Sequence, residues 1–227
     1  VEERNNECFV PFGPLVYRGN MGGEFLDFLH LHLDQVRLGQ DAGDRLAGNI
    51  ESQKDGNGFP SRDFVKHLKP HVVNYLKGNY EREIATDRNL KNGKHGEMFL
   101  DPDNHKIRFN LGKGPWVNFS QKYEFNPIHS HSGIISAVAM IDIPEEIEEE
   151  RETNGFHSKA AGCLDFIHAN QHATVNSKTG DLFLFPAYLW HLVYPYHSDV
   201  ERITMSFNIT EVRFDNMYLE GGQVNYH

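Results

Sequence analysis

Between residues 110 and 212 the sequence breaks into short runs of apolar, β-branched and aromatic residues separated by turn signals, and this punctuation limits the fold more than any other feature. Strands are predicted over 116–121, 134–143, 163–167, 182–185, 191–194 and 202–209. Short strands in that succession predict a sandwich or barrel. The unbroken apolar run 182–185 predicts a strand buried on both faces. The last run alternates strictly. Ile203, Met205, Phe207 and Ile209 fall on one face, and Arg202, Thr204, Ser206 and Asn208 on the other. That polar face either meets solvent or lines a barrel interior, and in the second case Arg202 needs an anionic partner.

The first eighty residues follow a helical period instead. After a short strand predicted over 8–17, Phe25, Phe28, Leu29, Leu33 and Val36 recur at helical spacing over 22–36. A loop follows, with Gly56-Asn57-Gly58 as its clearest breaker. Ser61 is placed to cap a second helix, whose stripe is Phe64, Val65, Leu68, Val72, Val73 and Leu76. Pro70 within it is predicted to kink or divide that helix, since proline offers no backbone N–H. Near residue 95 the character changes: 97–100 and 106–109 flank the turn-forming Asp101-Pro102-Asp103-Asn104, which predicts a hairpin. We therefore expect one domain over 1–227, mainly β with α, in which a helical support (1–94) buttresses a β core (95–215).

Composition narrows the class of partner. Among 227 residues, 22 basic and 32 acidic side chains leave a net charge of -10, which argues against a nucleic-acid backbone or an anionic membrane as the main partner. Six of the eight residues 145–152 are Glu, which reads as a solvated helical or mobile segment. Two cysteines, Cys8 and Cys163, cannot build a disulfide framework. No apolar run approaches membrane-span length, and no targeting signal is read at the start. A cytoplasmic location is expected.

Two His-x-His pairs occur, and geometry separates them. His30 and His32 lie in the first predicted helix, where residues two apart point in nearly opposite directions. His129 and His131, in NPIHSHSG, lie where an extended strand would set both imidazoles on one side, able to close on one metal ion. Structural or surface histidines are the other reading of that pair. His191, between Trp190 and Leu192, reads either as a satisfied core histidine or as a third ligand, and an Arg-x-Thr (Arg202, Thr204) follows eleven residues on.

Taken in that order, EFNPIHSHSGIISAVAMIDIP and GDLFLFPAYLWHLVYPYHSDVERITMSFNI resemble the Fe(II) and 2-oxoglutarate-dependent oxygenases, more narrowly the group found in marine bacteria and tailed phages of cyanobacteria. The resemblance covers roughly 110–212. It implies a double-stranded β-helix, a jelly-roll or cupin-like barrel buttressed by the N-terminal helices. It also implies Fe(II) as metal, 2-oxoglutarate as cosubstrate, and hydroxylation of a small-molecule or peptide substrate, in the host cytoplasm if a phage encodes the chain. His129 and His191 then correspond to metal ligands, and Arg202 with Thr204 to the clamp on the distal carboxylate. The chain departs from the broad family at His131, which stands at the carboxylate position of the H-x-D/E pair. Asp142 is too far along the strand to replace that carboxylate, whereas Glu124 and Asp165 stay open, with Glu124 otherwise read as a loop anchor. Asn118 and Tyr123, with Trp116 and Gln121, lead into the ligand strand and are expected to line the pocket at alternate positions. His168 and His172 read as loop-surface histidines or as substrate contacts. A cupin-like three-His enzyme using no 2-oxo acid, and a non-catalytic barrel module, are the alternatives.

Overall fold

The computed structural model describes residues 6–9, 13–86, 107–153, 159–214, 217–220 and 223–226. The apolar spacing read from the sequence yields two long helices, α1 (Gly22–Arg37) and α2 (Ser61–Thr86), and the acidic run forms a third, α3 (Glu145–Thr153). The strands, in chain order, are β1 (Glu7–Phe9), β2 (Val16–Asn20), β3 (Gln53–Asp55), β4 (Arg108–Asn110), β5 (Trp116–Ser120), β6 (Asn126–His129), β7 (Ile135–Asp142) and β8 (Leu164–His168). They continue with β9 (Gln171–Val175), β10 (Asp181–Pro186), β11 (Trp190–Val193), β12 (Arg202–Ile209), β13 (Glu211–Phe214), β14 (Met217–Glu220) and β15 (Gln223–Tyr226).

Seven strands form the larger sheet in the order β1-β2-β10-β7-β12-β5-β3, and β6-β11-β8-β9 form a smaller one. Both are antiparallel throughout. A third sheet, β15-β14-β13-β4, lies at the chain end. This is a double-stranded β-helix carrying helices, mainly β with α.

Alternation along the strands sorts side chains between two cores. Ala137, Ala139, Met205 and Phe207 point to the helix side and pack with Phe25, Leu29, Phe64 and Leu68. Val138, Met140, Phe183 and Phe185 point inward and pack with Leu164 and Phe166 of the smaller sheet. A fully buried Phe or Leu contributes roughly 1.5–3 kcal/mol, so the two cores hold the sheets at a defined spacing.

Several expectations change. The strand predicted over 8–17 falls on parts of β1 and β2, with 10–12 outside the described residues; the two strands pair antiparallel, with Glu7 opposite Arg18. Together with β3 they carry the larger sheet into the N-terminal third, so the helical support and the β core are not separate in sequence. A three-residue strand such as β3 has no period to read, and only its pairing with β5 defines it. Ser61 is the first residue of α2 rather than its cap, and Pro70 neither stops nor divides the helix. Pro70 is exposed, while Phe64, Leu68, Val72, Tyr75 and Leu76 stay buried on the other side and hold the helix against the sheet. The predicted hairpin falls largely outside the described residues, of which β4 retains its second arm. In α3, Ile147, Glu150 and Arg151 are buried, so the acidic run is docked along one face. Among the described residues no helix is long and apolar enough to cross a membrane.

Candidate metal centre

The candidate site lies between the two sheets, where β6 and β11 bring His129 directly opposite His191. His131 follows two residues beyond, past the strand end. Its backbone N–H donates to the Ala187 carbonyl at 2.8 Å, which ties the segment to the end of β10. Gly133 makes the next turn possible. It adopts φ 122°, and a Cβ there would stand 3.1 Å from the Ile209 carbonyl oxygen. The three imidazoles converge, with one nitrogen of each within 4.8 Å of the others. Their ring centroids are 4.3 Å (129–191), 4.8 Å (129–131) and 5.2 Å (131–191) apart.

Two of the rings have a defined tautomer. His129 Nδ1 lies 2.7 Å from the Pro127 carbonyl and His191 Nδ1 lies 2.9 Å from the Leu189 carbonyl. A carbonyl only accepts, so each Nδ1 carries the hydrogen and each Nε2 keeps its lone pair. This is the arrangement that orients a metal-binding histidine. Burial holds all three below the usual imidazole range: His131 falls to about 4, helped by His129, and His191 to about 3, helped by both neighbours. At neutral pH the cluster is uncharged and offers lone pairs. Phe185 packs edge-on against His191 at 4.8 Å, and Trp116 lies 5.9 Å from His131.

The cavity beside the histidines has about 510 Å³ of space free of atoms, part of it open to solvent, and it includes Arg202, Thr204, Asn118 and Gln53 in its lining. Arg202 and Thr204 therefore face the barrel interior, the second of the two orientations open for that strand. Arg202 is 3% exposed, yet among the described residues its side chain's only hydrogen bond is from Nη2 to Met140 Sδ at 3.5 Å, and Nε has no partner. Burial lowers its pKa from 12.5 to about 10, with nearby Arg151 acting in the same direction. A guanidinium in that setting is short of an anion. Asn118 Nδ2 donates to Thr204 Oγ1 at 3.2 Å, and Gln53 Nε2 donates to Asn118 Oδ1 at 2.8 Å.

Other expected positions lie elsewhere. Tyr123 does not line the cavity. It sits at φ 70° in a turn pinned by its N–H to the Tyr196 carbonyl, is 60% exposed, and meets His197 edge-on. The left-handed turn, which alternation cannot anticipate, sends its side chain outward. Gln121 is exposed and bonds Glu201, whereas Trp116 does line the cavity. Neither carboxylate left open joins the cluster. Glu124 accepts the backbone N–H groups of Glu51 and Gln121 and anchors that loop. Asp165 sits opposite Leu192 and engages His172, Thr174 and the Tyr194 hydroxyl. His168 and His172 belong to the β8–β9 hairpin rather than to a loop. His30 and His32 stay on α1, where His32 Nδ1 bonds the Phe28 carbonyl. Sequence reasoning missed Gln53, and also the segment 46–48 that lines the mouth, because neither carries a motif.

Known proteins bear on this geometry. The model of a family described as "Putative 2OG-Fe(II) oxygenase" matches residues 114–208, the stretch that holds all three histidines, Arg202 and Thr204. Over that stretch the chain is similar to the 2OG-Fe(II) oxygenases. Among solved structures, the fold is similar to that of AviO1 from Streptomyces viridochromogenes, with a TM-score of 0.51 and 10% identity over 93% of this chain and 92% of that one. A prolyl hydroxylase from Trichoplax adhaerens, solved with a hypoxia inducible factor peptide, gives 0.47 and 14% over 86% and 82%. HygX from Streptomyces hygroscopicus, solved with nickel, 2-oxoglutarate and hygromycin B, gives 0.45 and 11% over 85% and 81%. A comparison with curated protein sequences finds no match.

Proposed function

We propose that the protein is a non-haem Fe(II)- and 2-oxoglutarate-dependent oxygenase that hydroxylates a small-molecule or peptide substrate, with release of succinate and CO2. One observation carries the reading: a single cavity holds three neutral imidazoles and a buried guanidinium that has no anionic partner among the described residues. The donor set suits a divalent first-row metal, since imidazole is a good ligand for iron. His129, His131 and His191 would hold it. Arg202 would grip the distal carboxylate of 2-oxoglutarate in a two-pronged bond, with Thr204 supplying a further donor. When bound, the metal supplies O2 activation coupled to oxidative decarboxylation of the 2-oxo acid. The chain's own residues orient the imidazoles through the Pro127 and Leu189 carbonyls, fix the direction of the cosubstrate through Arg202, and wall the cavity with Val138, Leu164, Phe185 and Val193.

His131 favours a second reading. A neutral ring in place of a carboxylate leaves the centre one charge more positive, as in a cupin-like three-His enzyme that uses no 2-oxo acid. Arg202→Ala separates the two, abolishing 2-oxoglutarate binding under the first and leaving activity largely intact under the second. A non-catalytic barrel module would consume neither O2 nor 2-oxoglutarate when supplied with Fe(II). The direct test is anaerobic addition of Fe(II) and then 2-oxoglutarate, which should produce the weak visible charge-transfer band of the chelate. Bound iron without that band refutes the proposal.

A further inference from the structure

Three polar side chains form one row across three neighbouring strands of the larger sheet, because Thr204 of β12 is registered with Asn118 of β5 and Asn118 with Gln53 of β3. Each is at most 2% exposed. The hydrogen bonds along the row run one way, from Gln53 Nε2 to Asn118 Oδ1 and from Asn118 Nδ2 to Thr204 Oγ1. Thr204 therefore accepts within the row. Its own proton has no acceptor among the described residues, and Gln53 Oε1, at the other end, is buried without a partner.

The opposite polarity was chemically available. With both amides turned over, Thr204 would donate to Asn118 and Asn118 to Gln53, satisfying the hydroxyl proton, while Gln53 Nε2 would take the buried, unpartnered place that Oε1 now holds. The observed direction leaves both ends unsatisfied in the protein alone, a cost that an unpaired buried polar group always carries. The two directions differ at Thr204, and the observed one suits a bound molecule that puts an acceptor beside the hydroxyl. A Cβ at Gly48 would stand 2.8 Å from Gln53 Nε2 and 2.4 Å from Asn126 Oδ1, so the Gly48 backbone packs close to the amide.

We infer that Gln53 is a positioning residue for the cosubstrate: through Asn118 it turns the Thr204 hydroxyl proton into the cavity, toward the anion that Arg202 awaits. The inference rests on the function proposed above. Gln53 lies outside residues 114–208, so the family match does not reach it.

The test compares two ligands by titration calorimetry on the Mn(II)-loaded full chain. 2-Oxoglutarate has the distal carboxylate, whereas 2-oxovalerate has the same 2-oxo acid head and chain length but ends in a methyl group. Gln53→Met keeps the volume and removes both the donor and the acceptor. It should raise the Kd of 2-oxoglutarate about tenfold, the scale of one weakened charge-assisted hydrogen bond, and leave that of 2-oxovalerate within about twofold. Gly48→Ala, which crowds the same amide from the other side, should move the ratio the same way by roughly threefold. Equal losses for both ligands would show that Gln53 merely supports the fold, and no change in either would show that the row does not direct Thr204; both results overturn the inference. If the unaltered protein fails to bind 2-oxoglutarate, the proposed function itself falls, and the inference with it. If it binds and Gln53→Met binds as well, only the inference falls.

Discussion

Replacing Arg202 by Met should make the metal-free protein more stable while removing its capture of 2-oxoglutarate. The magnitude follows from the side chain's surroundings. Arg202 is 3% exposed, and its Nη2 meets only the Met140 sulfur while its Nε meets nothing among the described residues. Its pKa falls from 12.5 unfolded to about 10 folded, which corresponds to roughly 3 kcal/mol of penalty for holding the charge inside. Loss of the sulfur contact and imperfect repacking return part of this, leaving a net gain of about 1–2 kcal/mol. In a chain of this length that is a rise in Tm of about 2–6 °C. The sign fixes the pH behaviour too. Below about 10 the guanidinium is charged both folded and unfolded, so the penalty is constant and the gain should be the same at pH 6 and pH 8. Thermal unfolding followed by circular dichroism, with and without 2-oxoglutarate on metal-loaded protein, measures both halves. The ligand at a hundred times its Kd should add about 2.7 kcal/mol to the unaltered protein and nothing to the variant. A variant that unfolds several degrees lower without ligand would mean that Arg202 serves the fold, and the reading of Arg202 as an anion clamp would be wrong.

The remaining predictions concern the metal and the scaffold. His129→Ala and His191→Ala should each weaken metal retention more than tenfold, and His131→Ala should do the same if it is the third ligand, whereas His131→Asp should retain metal; equilibrium against a competing chelator, with elemental analysis, ranks the four. His71, 7% exposed and hydrogen-bonded to the Tyr17 hydroxyl at 2.8 Å, is held by burial at about 4. The unfolded chain binds that proton first, so the stability it protects is complete above about 6.5 and falls by up to roughly 3 kcal/mol as pH drops toward 4; denaturation curves of His71→Leu should lose that part of the slope. Glu150 would be raised by its burial, but bonds from Ser198 and from the ring and backbone of His197 outweigh this and hold it low. Glu150→Ala should cost about 2–4 kcal/mol in urea unfolding at pH 7 by orphaning those donors.

Legibility in the sequence followed the length of the pattern. The alternation of Arg202 to Ile209 and the stripes of α1 and α2 were readable because each spans several repeats, and those elements occur almost where they were predicted. The contrast between the two His-x-His pairs was readable from backbone geometry alone. Gln53 was not, since three residues carry no period and its role arises from register with β5. Tyr123 was misread because a single left-handed residue breaks the alternation that placed it. Glu150 hid within a run of six glutamates, of which it is the one buried, by the loop that reaches back from Tyr196 to Ser198.

The histidines and the arginine are mounted on different plates. His129 and His191 ride on the smaller sheet, Arg202 and Thr204 on the larger, and no strand is shared between them. Phe185, from the larger sheet, fills the gap and touches both His191 and Phe166 of the smaller one, at centroid distances of 4.8 and 4.9 Å. The span between the three histidines and Arg202 is consequently a packing dimension, set by the thickness of an apolar layer. Trimming Phe185 to Leu would alter the bite of the site without touching a single polar group, and variation at that spacer offers a route by which the same ligands and the same clamp could be retuned.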